Sequence, residues 1–302
     1  MPNRTFSRFR PLVAASILLC LILLPTRPAF GWGPGGHMMV AKIAFARLNP
    51  KAKAEANKLI KLLINPAEKT KLSLDFVIAA VWADDVKKLP GFEFSGDEHF
   101  ADFPFSVDTT PVPTDLPKEA NVIKALERYV NVLKTSTDQN ERAQALRFII
   151  HYVGDIHQPL HCSTRVSQAH PDGDQGGNLF MVNVPASTKL HSFWDGGLDN
   201  FPKGGPKPDF KPPPMSKINS AVISVVKENP DTNKVLKLKD PTNFQAWADE
   251  SSFLAQKYAY DGLVPNDTPN AGYKKKGVGI ARKRVAWAGY RLAALLNSVW
   301  PN

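Results

Sequence analysis

Eight stretches of this chain repeat apolar residues at three- and four-residue spacing, and that pattern limits the fold more than any other feature. They are Val40–Leu48, Ala52–Ile64, Leu72–Val86, Ile123–Leu133, Arg142–Val153, Ile218–Val226, Phe244–Tyr258 and Ile280–Val299. Such spacing gathers apolar side chains on one face of a helix. Strand alternation is scarce, and its best example, Phe180–Val184, follows the Gly176-Gly177 pair. The pattern predicts an all-α fold.

The first 31 residues stand apart from that pattern. Arg4, Arg8 and Arg10 precede an uncharged run from Leu12 to Leu24, and Ala29-Phe30-Gly31 has the small-x-small form of a cleavage site. Together they predict a secretory signal peptide cut before Trp32. The apolar run falls short of the roughly 20 residues that span a bilayer, so no membrane anchor is expected. Loss of the signal removes four arginines and no acid, taking the net charge from +10 to +6. That surplus suits an anionic partner without naming one. Cys20 also leaves, and Cys162 remains alone. A secreted chain without an internal disulfide must take its stability from core packing or bound metal.

Two stretches read as loops, the proline-rich Pro104–Pro117 and the Pro/Gly/Lys-rich Phe201–Pro214. Neither marks a shift in composition, and there is no internal repeat. Residues 32–302 are therefore expected to form one domain; with the signal peptide the protein is expected to be secreted or periplasmic, and a monomer is expected.

Histidine is scarce, with seven in the chain, yet His151, Asp155, His157 and His161 fall within eleven residues in HYVGDIHQPLH. On a helix His151 and Asp155 lie one turn apart on one face, where both can reach the same ion. Pro159 ends that helix, so His161 can turn back from the loop beyond it. LHSFWD places a second one-turn pair at His191 and Asp195. A metal site and a buried polar network both fit this spacing. Imidazoles mixed with carboxylates, and no thiolate cluster, favour zinc. His157 and His170 are expected to be structural.

At these residues the chain resembles the S1/P1 nucleases, which share a superfamily with zinc-dependent phospholipase C. The resemblance runs in order through Trp32-Gly33-Pro34-Gly35-Gly36-His37, Trp82-Ala83-Asp84, His99-Phe100-Ala101-Asp102 and HYVGDIHQPLH. It continues through Asp174-Gln175-Gly176-Gly177-Asn178 and LHSFWD to Ala288-Gly289-Tyr290-Arg291-Leu292-Ala293. It implies three zinc ions in a cleft of an all-α fold. One zinc would take Asp84, His99 and His151, with Asp155 bridging to a second. That second zinc would take Asp155, His37 and the free amine and carbonyl of Trp32. The third would take His161, His191 and Asp195.

The implied reaction is hydrolysis of phosphodiesters by water acidified between the bridged zincs, leaving 5′-phosphates. Asp84 would also orient that water. Single-stranded nucleic acid and nucleotides are the implied substrates; action on 3′-nucleotides stays open. Phe100 would stack a base and Asp102 would hydrogen-bond it, although Phe100 also reads as a core aromatic and Asp102 as a partner of a ligating histidine. Where the family usually carries arginine near the scissile phosphate, this chain has Lys87, which keeps the charge without the bidentate fork. Two other functions compete. A phospholipase C would share the zinc core, but that branch resembles His-x-x-x-Glu at the last pair, where Asp195 stands here. A noncatalytic zinc-stabilised protein could bind polyanions through Lys274–Lys276 and Arg282–Arg284.

Overall fold

The computed structural model describes residues 31–62, 74–185, 187–205, 211–232 and 240–302. The signal-peptide reading of residues 1–30 falls outside them. Helices dominate, and the fold is all-α.

Helix α1 (Pro34–Phe45) starts six residues before the periodic stretch that predicts it. Pro34 sits in the first turn, where its missing N–H costs nothing. Gly35 and Gly36 read as helix breakers, but here they permit contact: a Cβ on Gly35 would collide with the Pro202 carbonyl. The early start places His37 in the first turn, facing the interior. Helix α2 (Pro50–Ile60) comes next, with the Asn49 side chain accepting a bond from the Ala52 N–H at 2.8 Å.

Leu72–Val86, expected as one helix, is interrupted. The Asp75 carboxylate accepts from the backbone N–H groups of Val77 (2.9 Å) and Ile78 (3.0 Å), offering the chain a local alternative to the helical ladder. The chain then forms a 3₁₀ turn, Ile78–Val81, and the short helix α3 (Trp82–Val86). A 3₁₀ segment, Glu93–His99, ends on a histidine.

Helices α4 (Val122–Thr135) and α5 (Gln139–Asp155) pack together at the centre. The side chains of Asn121 and Asp138 cap their N-termini. From Ala145 to Asp155 every residue of α5 is buried, so its polar C-terminal turn is delivered into the interior. A 3₁₀ turn, Pro159–Cys162, leads to strand β2 (Thr164–Val166).

The first residues of the expected loop at Pro104 instead form strand β1 (Pro104–Ser106), parallel to β2 with Pro104 opposite Thr164. Proline at the start of a strand with a single neighbour forfeits no ladder bond. The pairing continues in the Ala101 N–H to His161 O bond, 2.7 Å, and ties the two histidine-bearing segments together. Strand β3 (Met181–Val184), within the predicted stretch, runs antiparallel to β4 (Ser187–Lys189) and leads into α6 (Leu190–Asp195).

Helices α7 (Met215–Glu228), α8 (Phe244–Leu254) and α9 (Ala271–Val299) complete the layer around α1 and α5. The predicted Phe244–Tyr258 helix changes to a π turn at Ala255–Ala259. Helix α9 begins nine residues ahead of its periodic stretch, capped by Asn270 and running through lysines that carry no apolar signal. No described helix is long and apolar enough to cross a membrane.

Candidate metal centre

Three segments converge on the C-terminal turn of α5. His37 comes from α1, Asp84 from α3, His99 from the 3₁₀ segment, and His151 and Asp155 from α5; all are buried. His99 Nδ1, His151 Nε2 and Asp155 Oδ2 lie 2.9–3.1 Å from one another, and Asp84 Oδ1 stands 3.8 Å from both nitrogens. Ligands about 2.0–2.2 Å from a tetrahedral zinc stand about 3.3 Å apart, so these four atoms have the spacing of a coordination shell.

The other Asp155 oxygen points elsewhere. Oδ1 is 3.3 Å from His37 Nε2, and neither atom has a hydrogen-bond partner although both are buried. Buried polar atoms are normally paired. The His37 ring stacks on His151 with centroids 3.8 Å apart, an approach that depends on Gly154, where a Cβ would stand 2.6 Å from His37 Nδ1. Asp155 thus addresses two donor sets, one with each oxygen.

A third set lies alongside. His161 Nε2 is 3.9 Å from Asp195 Oδ1, and His191 Nε2 is 3.6 Å from Asp195 Oδ2. The three sets His37/His151/Asp155, Asp84/His99/His151 and His161/His191/Asp195 each place their donor atoms close enough for one ion.

Backbone carbonyls orient these rings. His151 Nδ1 donates to Ala80 O (2.6 Å), His161 Nδ1 to His99 O (2.7 Å) and His191 Nδ1 to Gly176 O (2.7 Å). Each bond leaves Nε2 as the donor atom for a metal. Asp102 therefore does not orient these three histidines. His157 is no ligand; its Nδ1 donates to Val153 O and its Nε2 accepts from Arg291. His170 joins Ser167 in an isolated backbone bridge.

The charges are balanced locally. Burial pushes the Asp84 carboxyl up, but Lys87, with Nζ 2.7 Å from Oδ1, and the neighbouring histidines outweigh it and hold the group below the usual range. For Asp155 too, burial is outweighed by His151, His37 and His99. Asp195 goes the other way: burial, with Asp84 and Asp155 nearby, raises it well above an ordinary carboxyl. A carboxyl so raised calls for a positive charge beside it, which a cation on His161 and His191 would provide. The donor chemistry and the orphaned atoms fit zinc.

Phe100 and Asp102 follow His99 and are half-buried. Unlike Phe103 and Phe105, Phe100 is not packed on the hydrophobic core. Burial, with Asp174 adding, raises the Asp102 carboxyl to about 7.

Three supporting residues escaped the sequence reading. Gln158 donates to Asp195 Oδ1 at 2.7 Å, and its position inside HYVGDIHQPLH was the available signal. Asp174 accepts from the Arg165 and Gly177 N–H groups and the Tyr260 hydroxyl, shaping the loop whose Gly176 carbonyl holds His191. Glu98 accepts from Arg128, Tyr129 and Tyr152 behind His99, and no spacing signalled it.

Comparison with known proteins agrees with this geometry. The S1/P1 Nuclease family model matches residues 32–301. Nuclease S1 of Aspergillus oryzae (strain ATCC 42149 / RIB 40) is 28% identical over 307 residues, covering 97% of this chain and 98% of the relative. Endonuclease 3 of Arabidopsis thaliana is 28% identical over 279 residues, 90% of each chain. Nuclease P1 of Penicillium citrinum matches at 28% over 172 residues, 54% of this chain and 57% of its own. With the match spanning nearly all the described residues, the chain belongs to the S1/P1 nuclease family, hydrolases acting on phosphodiester bonds.

Proposed function

We propose that this chain is a zinc-dependent endonuclease that hydrolyses single-stranded DNA and RNA to 5′-phosphate products, using three zinc ions. The observation that carries the reading is Asp155, a buried carboxylate with one oxygen in each of two donor sets. Zinc at such a centre lowers the pKa of water toward about 7 and neutralises charge growing on phosphoryl oxygens.

The chain's own groups divide the remaining work. Asp84, His99, His151 and Asp155 would hold the first ion, and Asp155, His37 and Trp32 the second. His161, His191 and Asp195 would hold the third. Lys87 keeps Asp84 ionised and would place a cation beside a bound phosphate. Phe100, clear of the core, offers a ring face to a base, and such stacking tolerates any base. Asp102 would hydrogen-bond the base edge.

Trp32 takes part through its α-amine, which exists only after cleavage at Gly31-Trp32. In the chain with residue 31 attached, Gly31 lies against His37 and Asp155, so closely that a Cβ there would collide with Asp155 Oδ1. Removal of a signal peptide over 1–31 would clear that place and supply the amine together. The catalytic unit is then residues 32–302, secreted or periplasmic and monomeric.

Elemental analysis of the protein starting at Trp32 should find close to three zinc ions, and chelation should abolish phosphodiesterase activity. Digests of single- and double-stranded DNA and RNA, read by mass spectrometry, should show 5′-phosphates and a preference for single strands. One zinc or none in an active preparation would overturn the proposal. Hydrolysis of short-chain phosphatidylcholine in place of nucleic acid would do the same.

A further inference from the structure

The basic runs Lys274–Lys276 and Arg282–Arg284 of α9 play no part in the metal centre, and the structure divides their charges. Lys274 reaches Asp199 at 3.8 Å, Arg282 is held by Glu228, and Arg284 is buried against Glu250. Lys276 and Lys283 are exposed. Seven residues apart, they share a face of α9 with Ile280 and Trp287. That face is one wall of an open groove of about 480 Å³, whose other wall comes from the end of α8 and the π turn after it.

Rings and ammonium groups are interleaved along this groove. Lys276 Nζ stands 4.3 Å from the centroid of Tyr258 and Lys283 Nζ 4.6 Å from that of Trp287, while Lys257, outside the lining, has its Nζ 5.2 Å from that of Phe253. Phe253 is 56% exposed, so its ring face is open to a ligand. The carboxylate in the lining, Glu250, accepts from Arg284 and from both Arg291 nitrogens, so it offers no repulsion to an anion. The groove shares no lining residue with the metal ligands.

We propose that this groove is a second binding site for single-stranded nucleic acid, holding part of a strand whose scissile bond lies at the metal centre. The inference rests on the nuclease reading for the identity of the strand. A flexible chain that alternates flat bases with phosphates matches a surface that alternates rings with ammonium groups. Duplex DNA hides its base faces, so the groove selects unpaired strands. On this proposal a dinucleotide held at the metal centre leaves the groove empty, and the groove acts on long substrates only.

The test compares the dinucleotide TpT with a 20-residue oligothymidylate in the zinc-loaded enzyme. Phe253→Ala and the double variant Lys276→Glu/Lys283→Glu should each raise KM for the oligomer about fivefold or more. Both should leave kcat/KM for TpT within about twofold, since neither change touches the metal centre. An unchanged oligomer KM overturns the proposal. An equal loss on TpT does so too, because it would mean the variants act through the metal centre. If wild type cleaves neither substrate, the nuclease reading fails, and anisotropy of the labelled oligomer reads the groove directly in the same variants. Binding should weaken there by the same factor. An abasic oligomer separates stacking from charge: Phe253→Ala should leave its binding unchanged, and equal weakening would refute the stacking.

Discussion

Two buried polar clusters meet at the end of α5, and they treat histidine in opposite ways. In the metal centre, His37 and Asp155 Oδ1 have no hydrogen-bond partner, and ligand atoms crowd to about 3 Å. Six residues beyond His151, His157 sits equally deep with both ring nitrogens engaged, by Val153 O and Arg291. Burial, together with Arg284 and Arg291, holds its pKa well below the ordinary value, so the ring stays neutral. Glu250 closes this second cluster by accepting from both arginines. In one cluster both nitrogens of the histidine are paired within the chain, and in the other the unpaired donor atoms leave room for a cation. Burial and residue type do not distinguish them; the fate of the remaining nitrogens does.

The largest test of that contrast is at Asp155. Asp155→Asn should lose two zinc ions and roughly a thousandfold in activity, whereas Asp195→Asn should lose one ion. Elemental analysis that finds equal metal loss in the two variants would break the bridge assignment.

A chain kept one residue longer, with Gly31 before Trp32, converts the amine to an amide, a poor ligand. It should bind fewer zinc ions and lose about tenfold or more in activity, measured after N-terminal sequencing confirms the start. Unchanged zinc and rate would reduce Trp32 to a core aromatic packed on Phe201.

Glu250→Gln probes the His157 cluster. It leaves Arg284 and Arg291, both almost fully buried, with a neutral partner and should cost about 3 kcal/mol in urea melts. Its zinc content should stay at the wild-type level; metal loss would show that the two clusters form one network.

Asp102 gives a smaller effect with a defined sign. Its carboxyl titrates near 7 in the folded chain against 3.8 as its ordinary value. Between those values the folded state holds a proton that the unfolded state has lost. Stability contributed by this group therefore falls as pH rises from about 4 to about 7 and is level above. Asp102→Asn should remove that slope and add about 1 kcal/mol at pH 8, discounted because the side chain reaches solvent. A steeper slope in the variant would contradict the assignment. Smallest of all, Lys87→Arg should keep every zinc ion and hold the rate within about threefold.

Much of the site was legible because its residues are chemically specific. His151 with Asp155, and His191 with Asp195, declare a shared face through four-residue spacing alone. The helices were legible where one face is buried, as in α4. They were not where packing or capping overrides periodicity. Asp75 cuts a helix with its own carboxylate, Gly35 and Gly36 open one where Pro202 and the Trp32 and Phe201 side chains leave no room for a Cβ, and Asn270 starts α9 among lysines. The supporting roles of Gln158, Asp174 and Glu98 were not readable for a related reason, even though the first two lie inside quoted motifs. A polar side chain that orients a ligand has no required spacing, only a required place.

By itself, then, the sequence determined the helical class and the family, and its spacing singled out His151, Asp155, His161, His191 and Asp195, while Trp32, His37, Asp84 and His99 came as candidates through the resemblance alone. The first group was readable because helical periodicity and metal-binding residue types are local properties of the chain. Tertiary structure decided which histidines and carboxylates converge, which oxygen of Asp155 faces which donor set, and that Phe100 stands clear of the core. It also decided that Lys276 and Lys283 line a groove while Arg284, one residue further along, is buried beneath it. Those outcomes depend on contacts between residues far apart in the chain, where burial and pairing select among side chains that look alike in sequence.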